Sequence, residues 1–377
     1  MAHGECAGLR LETVSHADQG SHTAPAIILA VVLKAIHAGG ERIRFTSTRT
    51  LPMKQRHIQT HACGLHATLY LLLACLICVQ GLAQVAPPDG SVRFLAFGDW
   101  GRDGKAFQLP VAEQMGRAAA ANHAQFVIVL GDNFYSDGVD SVESRQWTTS
   151  FEDIYTAPSL QVPWYVALGN HDYRKNPGAQ VAYTLFSPRW KMPARYYSVT
   201  RRIDESNTVQ FFIIDSTPYT VSRQSGQGSK RGDAARQDTA AQTAWLEEAL
   251  RTSAAQWKIV CAHHPIYSSS KHGDTAALIK EIQPLLEKYG VQIYLNGHEH
   301  DMQHLQVGKI HYFTSGAGSQ TRATSRDART IFCLGDTGGF LNVRITPDEF
   351  EGSFIDYTGK VVHTATIHRN QMAGADR

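Results

Sequence analysis

Net charge, cysteine and long hydrophobic runs are all scarce in this sequence. Its 377 residues carry 36 Lys and Arg against 34 Asp and Glu, which gives a formal net charge of +2. Such a balance gives no indication of nucleic-acid binding, so we expect no nucleic-acid partner. The hydrophobic fraction of 43% is ordinary for a globular protein and argues against disorder.

The cysteines are few and unevenly placed. Four of the six lie before residue 84, which leaves only Cys261 and Cys333 in the remainder of the chain. These two allow at most one disulfide, and the sequence does not decide whether they pair. A domain of roughly 280 residues can nevertheless bury a sufficient hydrophobic core without covalent cross-links.

The most apolar run extends from Ala67 to Val79 and is too short, by about five residues, for a confident membrane span. A basic stretch that begins at Met53 precedes it, and small residues follow at Gly81 and Ala83. This order is typical of an export signal, with cleavage near Ala83. We therefore predict a secreted or periplasmic protein with no stable membrane span after removal of the signal.

The predicted export signal sets the domain boundaries. We assign residues 1–84 to an N-terminal extension with the signal at about 53–84, and residues 85–377 to a single domain. The signal begins at an internal methionine, so Met53 is a candidate for the true start of the protein. Two alternatives stay open: the apolar run is a buried core helix, or Cys75 in a lipobox-like sequence carries a lipid anchor.

From Val92 onward, short apolar runs alternate with amphipathic stretches. This alternation predicts an α/β domain in which helices lie outside two packed sheets. A helical pattern extends from Leu278 to Tyr289, and Gly290 is its predicted C-cap. The polar stretch from Ser222 to Asp238 lacks an apolar pattern and is predicted to be an exposed, mobile loop. The predicted strands are 92–97, 126–130, 164–168, 211–214, 259–262, 293–295, 310–314, 341–345 and 350–357.

Five polar clusters directly follow apolar, strand-like runs. They are Gly98-Asp99-Trp100-Gly101, Gly131-Asp132-Asn133-Phe134-Tyr135, Gly169-Asn170-His171-Asp172, Ala262-His263-His264-Pro265 and Gly297-His298-Glu299-His300. The carboxyl ends of strands in open α/β sheets meet at a common crevice, so we expect these clusters to converge. Each alone is more often an ordinary turn or polar loop, but five in this order indicate a metal site.

The residue types in these clusters suit a pair of Lewis-acidic metal ions. Carboxylate and amide oxygens are hard ligands, and imidazole suits iron, zinc and manganese. Asp132 is the natural bridge, because one carboxylate can hold two cations together. His298 and His300 are separated by one residue and can reach different ions of the pair. Two metals about 3.5–4 Å apart can clamp a phosphoryl group and generate hydroxide near neutral pH.

The order and spacing of the clusters resemble those of the calcineurin-like metallophosphoesterases. The fuller strings GDWG, GDNFY, VPWYVALGNHDY and GHEHDMQHL resemble, more narrowly, small purple acid phosphatases of the tartrate-resistant type. The resemblance extends from Arg93 to Ile367. It implies a four-layer fold, a β-sandwich flanked by helices.

The resemblance also implies the ligands of a binuclear metal centre. Fe³⁺ would take Asp99, Tyr135 and His300, and a divalent ion (Fe²⁺, Zn²⁺ or Mn²⁺) would take Asn170, His263 and His298, with Asp132 as the bridge. Tyr135 discriminates among metals, because a phenol with a pKa near 10 needs a strong Lewis acid to ligate as the phenolate. The alternative for Tyr135 is a packed aromatic side chain.

Two further histidines are candidate catalytic residues. His171 adjoins a ligand but is not needed for coordination, so it can protonate the departing alkoxide. Asp172 is expected to orient His171. His272 matches a second pocket histidine of the family and is otherwise an exposed loop residue. The role of His264 stays open.

These expectations describe an acid phosphatase that hydrolyses phosphate monoesters of small molecules or phosphoproteins by means of a metal-bound hydroxide. One alternative is a phosphodiesterase or nucleotide pyrophosphatase with the same metals. The other is a non-catalytic module that binds metal or phosphate. The sequence indicates neither the natural substrate nor the oligomeric state.

Overall fold

Two seven-stranded β-sheets pack against each other in the computed structural model, which describes residues 89–221 and 232–370. The expectations for residues 1–84, including the export signal and Cys75, lie outside the described residues. Within the described residues, no helix combines the length and the apolar character needed to cross a bilayer.

The first sheet has a parallel half and an antiparallel half. Its strand order is β14-β13-β12-β1-β2-β3-β4, with β1 to β4 parallel and β12 to β14 added antiparallel. The strands are β1 Val92–Phe97, β2 Phe126–Leu130, β3 Trp164–Ala167, β4 Trp190–Lys191, β12 Gly339–Ile345, β13 Glu349–Asp356 and β14 Val361–His368.

The second sheet has the order β11-β9-β10-β8-β7-β6-β5, with β6, β7, β8 and β10 parallel. Strands β5, β9 and β11 pair antiparallel with their neighbours. The strands are β5 Tyr197–Arg202, β6 Thr208–Ile213, β7 Trp257–Cys261, β8 Ile293–Asn296, β9 Met302–Val307, β10 Ile310–Ser315 and β11 Thr330–Leu334.

Helices cover the outer faces of the two sheets. Helix α1 packs on the first sheet, and its buried residues Val111 and Met115 join the core between the layers. Helices α4, α5 and α6 cover the second sheet through a separate apolar cluster that contains Leu246, Leu278 and Leu286. The helices are α1 Gln108–Asn122, α2 Pro177–Tyr183, α3 Gly232–Ala235, α4 Thr239–Thr252, α5 Ala276–Glu281 and α6 Gln283–Lys288.

The central strands of the second sheet are mostly apolar, because most of their side chains are buried on one face or the other. In β6, Phe211 faces the core between the sheets, where its ring centroid lies 5.2 Å from that of Phe94 on β1. The adjacent Phe212 belongs to the outer cluster beneath the helices. The predicted four-layer α/β fold is thereby confirmed.

Two predictions of local structure need correction. The single helix predicted from Leu278 to Tyr289 is two helices that meet at Ile282. Pro284 lies in the first turn of α6, where its missing N–H is tolerated, but it cannot continue α5. The C-cap prediction is confirmed, because Gly290 has φ +63° and Val291 N–H donates to the Leu286 carbonyl at 2.9 Å.

The predicted mobile loop from Ser222 to Asp238 is ordered in its second part, and the first part, 222–231, lies outside the described residues. Residues Gly232–Ala235 form α3, and Ala234 is buried in the core. Asp233 accepts a hydrogen bond from Arg195 at 2.8 Å, which attaches this helix to the rest of the domain.

The two cysteines of the domain are not cross-linked. Cys261 lies on β7 and Cys333 on β11, and both are free. Three strands of the second sheet separate them, so the distance is roughly 19 Å at the usual strand spacing, far beyond disulfide reach. The domain therefore depends on its hydrophobic core, as predicted.

Candidate metal centre

The five polar clusters lie at one edge of the sandwich. Asp99, Asp132 and Asn170 follow β1, β2 and β3, which are parallel neighbours in the first sheet. His263 and His298 follow β7 and β8, which are parallel neighbours in the second. Because parallel neighbours end at the same edge of a sheet, the topology groups the loops of each sheet, and the packing of the two sheets brings the two groups together.

Asp132 lies between two sets of side chains, and each of its carboxylate oxygens faces one set. In the first set, the Tyr135 hydroxyl oxygen lies 2.9 Å from Asp132 Oδ2, 2.9 Å from Asp99 Oδ1 and 3.1 Å from His300 Nε2. The Asp99 and His300 atoms are themselves 3.4 Å apart. Three potential ligands of different chemistry thus surround one oxygen of Asp132.

The second set meets the other oxygen of Asp132. His263 Nε2 lies 3.4 Å from Asp132 Oδ1, 3.2 Å from Asn170 Oδ1 and 3.1 Å from His298 Nδ1. The seven side chains expected to be ligands are therefore together, in two groups on either side of one carboxylate. Asp99, Asp132 and His263 also offer ligand atoms that all lie within 4.8 Å of one another.

Polar contacts behind the ligands fix their orientation. His263 Nδ1 lies 2.9 Å from the Leu130 carbonyl oxygen, to which it donates, so Nε2 presents its lone pair to the centre. The backbone N–H of His171 donates to Asp132 Oδ1 at 2.7 Å, and that of His298 donates to Asp99 Oδ2 at 2.9 Å. The last of these bonds connects the two sheets at the site.

The backbone at the centre is unusually constrained. Three non-glycine residues have left-handed φ values: 61° at Asp99, 49° at Asp132 and 71° at His298. Such conformations cost free energy and concentrate at functional sites. Glycine is required at Gly131, which has φ +86°, because a Cβ there would lie 2.7 Å from His263 Nδ1. At Gly169, a Cβ would lie 2.1 Å from the backbone nitrogen of Asp132.

Burial sets the protonation of the clustered side chains. It raises the pKa of Asp99 to about 7, and together with Asp132 and Asp99 it raises the pKa of Tyr135 well above the ordinary value. Burial and the neighbouring histidines lower the pKa of His298 well below its ordinary value. Burial and Arg322 lower the pKa of His300 to about 4. Neutral imidazoles are ready to ligate, whereas the phenol and Asp99 must lose protons to do so.

His171 lies at the cavity wall, but its partners differ from those expected. Its Nδ1 donates to the Ser136 carbonyl oxygen, and its Nε2 lies 3.1 Å from Arg174 Nη2 and 3.8 Å from Asp132 Oδ2. Because Nδ1 carries the hydrogen, Nε2 accepts from the guanidinium.

The prediction that Asp172 orients His171 is wrong. The buried Asp172 carboxylate accepts instead from the backbone N–H groups of Asn133 and Gly169 and from Gln180 Nε2, at 2.7–3.1 Å. Asp172 therefore ties together the loops that follow β2 and β3, which is a structural function.

His272 pairs with the residue between two of the expected ligands. Its Nδ1 lies 3.0 Å from Glu299 Oε2, and its backbone N–H donates to Glu299 Oε1 at 2.6 Å. Although burial opposes it, the His272 hydrogen bond holds the pKa of Glu299 below its ordinary value. The His272 ring centroid lies 4.4 Å from that of His298, so this loop histidine belongs to the site.

His264 is also part of the centre. Its Nδ1 lies 3.0 Å from the Ser216 hydroxyl, and its ring centroid lies 4.4 Å from that of His298. His263, His264 and His298 offer nitrogen atoms within 4.8 Å of one another. The imidazole of His264 therefore lies beside the second set, in addition to the ligands that the sequence analysis assigned to it.

Sequence reasoning missed three arginines that surround the site. The Arg102 guanidinium lies 3.5 Å from the centroid of the Tyr135 ring, and Arg174 and Arg322 line the cavity. This cavity has a volume of about 670 Å³ and opens onto Asp132, Asn170, His171, His264, His272, His298 and His300. Arg174 lies two residues after the end of the motif Gly169-Asn170-His171-Asp172, so a sequence pattern could have found it, whereas nothing local marks Arg322.

Comparisons with known proteins agree with this geometry. The family model described as calcineurin-like phosphoesterase matches residues 92–302. Purple acid phosphatase 4 of Arabidopsis thaliana is 39% identical over 295 residues, an alignment that covers 74% of this chain and 85% of that protein. Tartrate-resistant acid phosphatase type 5 of Oryctolagus cuniculus is 36% identical over 310 residues, which cover 77% and 94% of the two chains.

Among solved structures, the GAP50 anchor in the inner membrane complex of Plasmodium is similar with a TM-score of 0.64. The alignment covers 74% of this chain and 89% of that chain at 24% sequence identity. At this identity the likeness concerns the fold alone.

Proposed function

This chain belongs to the calcineurin-like phosphoesterase family and, within it, to the purple acid phosphatases, and from that premise we propose that it hydrolyses phosphate monoesters at acidic pH. It would thus be a metal-dependent phosphoric monoester hydrolase. The observation that carries the proposal is the position of Asp132, whose two oxygens face two separate sets of ligand-type side chains.

Each set of side chains would hold one of the two ions of the family's binuclear centre. Asp99, Tyr135 and His300 would hold Fe³⁺, because a phenolate and a carboxylate favour a strongly Lewis-acidic ion. Asn170, His263 and His298 would hold a divalent ion (Fe²⁺, Zn²⁺ or Mn²⁺), and Asp132 would bridge. When bound, the cations polarise the phosphoryl oxygens and lower the pKa of attacking water.

The cavity supplies the positive charge that an anionic substrate needs. Arg174 and Arg322 line its wall, and a buried Nη1 of Arg322 has no hydrogen-bond partner among the described residues. A phosphate group that enters from solvent can accept from these guanidinium groups while it approaches Asp132. Phosphorylated small molecules and phosphoproteins are the substrate classes that we propose.

His171 and His272 are the candidates to move the proton of the leaving group. The Nε2 of His171 faces the centre but accepts from Arg174, so it must gain a proton before it can donate one. Glu299 holds His272 by Nδ1 and thereby fixes the orientation of its ring. Each of the two would contribute to protonation of the departing oxygen.

The dependence of turnover on the leaving group tests whether each histidine donates a proton to it. For His171→Ala and His272→Ala, turnover of an alkyl phosphate should fall by about 100-fold or more, and turnover of p-nitrophenyl phosphate should fall less. A nitrophenolate leaves without a proton, whereas an alkoxide does not. Equal losses on both esters in a variant would remove that histidine from the proton-transfer role.

The family fold also supports diester hydrolysis and non-catalytic binding, so the reaction itself needs a test. We expect the purified protein to turn over p-nitrophenyl phosphate at least about tenfold faster than bis(p-nitrophenyl) phosphate. The opposite preference would establish a phosphodiesterase. Two bound metals without turnover of either ester would establish a binding module.

The export signal predicted at about 53–84 leads us to propose that the domain acts outside the cytoplasm, secreted or in the periplasm. Lipid anchoring at Cys75 is the lesser alternative. N-terminal sequencing of the exported protein tests both: a start near Gln84 supports cleavage by an ordinary signal peptidase, and a blocked, lipid-modified Cys75 contradicts it.

A further inference from the structure

A second cluster of imidazoles lies away from the metal centre, at the opposite side of the sandwich from β4 and β5. His304 on β9, His311 on β10 and His363 on β14 meet where the two sheets face each other along one edge. His304 Nδ1 lies 3.1 Å from His363 Nε2, and His304 Nε2 lies 2.9 Å from His311 Nδ1. Nothing in the proposed reaction uses this cluster.

Aromatic stacking fixes the planes of two of these imidazoles. The His304 ring lies on Phe313, with centroids 4.2 Å apart and planes 11° apart. The His363 ring lies on Phe332, with centroids 4.5 Å apart and planes 4° apart. His304 Nδ1 on β9 and His363 Nε2 on β14 are therefore held close together by one strand from each sheet, so a bound metal ion would not have to order them.

The spacing of the two nitrogens suits a shared metal ion. Two imidazole nitrogens bound at about 2.05 Å lie about 2.9 Å apart at a square-planar ion and about 3.3 Å apart at a tetrahedral one. The 3.1 Å between His304 Nδ1 and His363 Nε2 lies between these values. The same separation, 3.1 Å, occurs between His263 and His298 in the metal centre. Close approach of two imidazoles is thus the arrangement that this molecule already uses at its proposed active site.

His311 completes the arrangement by fixing the tautomer of His304. If His304 Nε2–H donates to His311 Nδ1, the lone pair of His304 lies on Nδ1, toward His363. A metal-binding histidine usually donates its other ring N–H to a hydrogen-bond acceptor, and the His311 nitrogen occupies that position here. Burial, His311 and His363 lower the pKa of His304 to about 3, and burial lowers the pKa of His311 to about 4, so these imidazoles are neutral.

We propose that His304 Nδ1 and His363 Nε2 bind one divalent transition-metal ion of the kind that prefers imidazole, Zn²⁺ or Cu²⁺, with His311 as the acceptor that orients His304. Among the residues that the structure describes, no carboxylate belongs to the cluster, so the cluster is a poor site for hard ions such as Mg²⁺, which prefer oxygen ligands. His363 is half-buried, so an ion can reach it from solvent, and water molecules would complete the coordination on that side. The bound ion would cross-link β14 of the first sheet to β9 of the second.

The test uses the holoprotein with its two-metal centre already loaded. Titration with Cu²⁺, followed by electron paramagnetic resonance, should show a third equivalent with nitrogen hyperfine structure from two imidazoles. His363→Gln should weaken this third equivalent by at least about tenfold. His368→Gln, on the same strand and outside the cluster, should leave it unchanged.

The proposal does not depend on the phosphatase assignment, since His363→Gln should retain full monoesterase turnover. His311→Gln provides a second variant, which should weaken the third equivalent without abolishing it. Absence of a third equivalent in the parent protein would overturn the proposal. An undiminished third equivalent in His363→Gln would overturn it equally.

Discussion

Two clusters of imidazoles lie in the part of the chain that the structure describes, and they differ in the groups around them. At the metal centre, His263, His298 and His300 lie among two buried carboxylates and a phenol. In the second cluster, His304, His311 and His363 contact one another and phenylalanine rings. The first set of donors carries negative charge once deprotonated, and the second stays neutral.

This difference in charge explains what each cluster can hold. Buried carboxylates repel each other unless cations lie between them, so the metal centre is built to hold ions of high charge close together. Neutral imidazoles offer no such compensation, and they suit a single ion of borderline softness. The presence of carboxylate, more than the number of histidines, makes the first cluster suitable for hydrolysis.

The largest expected effect follows removal of the bridging charge. Asp132→Asn keeps the shape of the side chain but lacks the negative charge between the two sets. We expect it to bind at most one metal tightly and to lose about 10³-fold or more in turnover. Metal analysis and monoester kinetics measure both effects.

The control is Asp140→Asn, which removes an exposed carboxylate paired with Lys175 and should leave both quantities unchanged. Two tightly bound metals in Asp132→Asn would show that the two sets do not share this bridge. The contrast between the charged and the neutral cluster would then lose its main support.

An intermediate effect is expected for Tyr135→Phe. The phenol is the donor that distinguishes a ferric site from a divalent one, so the variant should lose the visible charge-transfer band. Turnover should fall by at least about tenfold, because the first set then lacks one ligand. Tyr196→Phe, away from the centre, should keep both band and turnover. A colourless parent protein that contains zinc or manganese would contradict the ferric assignment.

The smallest expected effect is the number of protons that each cluster releases when it binds metal, and it is measured on the unsubstituted protein. At pH 6 the metal-free protein holds protons on Asp99, whose pKa is raised to about 7 by burial, and on the Tyr135 phenol. Loading the centre should release about two protons, so its metal affinity rises with pH. Cu²⁺ uptake by the second cluster should release almost none, since burial lowers the pKa of His304 to about 3.

Proton release is measurable with an indicator dye in weak buffer. Equal release at the two clusters would contradict the difference in charge described above. A parallel titration at pH 7.5 should show a smaller total release at the metal centre. Asp99 has then already lost most of its proton, whereas the Tyr135 phenol still has its proton to lose.

The sequence predicted the layers and the convergence of the clusters well, for a physical reason. Strands such as Phe126–Leu130 are buried on both faces and therefore read as continuous apolar runs. Polar residues that follow parallel neighbours must meet at one edge, so Asp99, Asp132 and Asn170 could be placed together from the order of their strands, as could His263 and His298. The family resemblance then supplied the roles of individual residues.

What the sequence did not predict depends on contacts between distant elements. Strand β14 is an edge strand with mixed exposure, and it was missed, so the meeting of His363 with His304 could not be foreseen. Arg322 reaches the cavity from a long loop that has no motif. The expected role of Asp172 failed because adjacency in sequence does not fix which way a side chain points.

Anomalous diffraction from crystals of the purified protein tests the central claim most directly. We expect two metal peaks about 3.5–4 Å apart, on either side of the Asp132 carboxylate, one near Tyr135 and the other near His263. A single peak, or a pair of peaks that does not include Asp132 between them, would contradict the account.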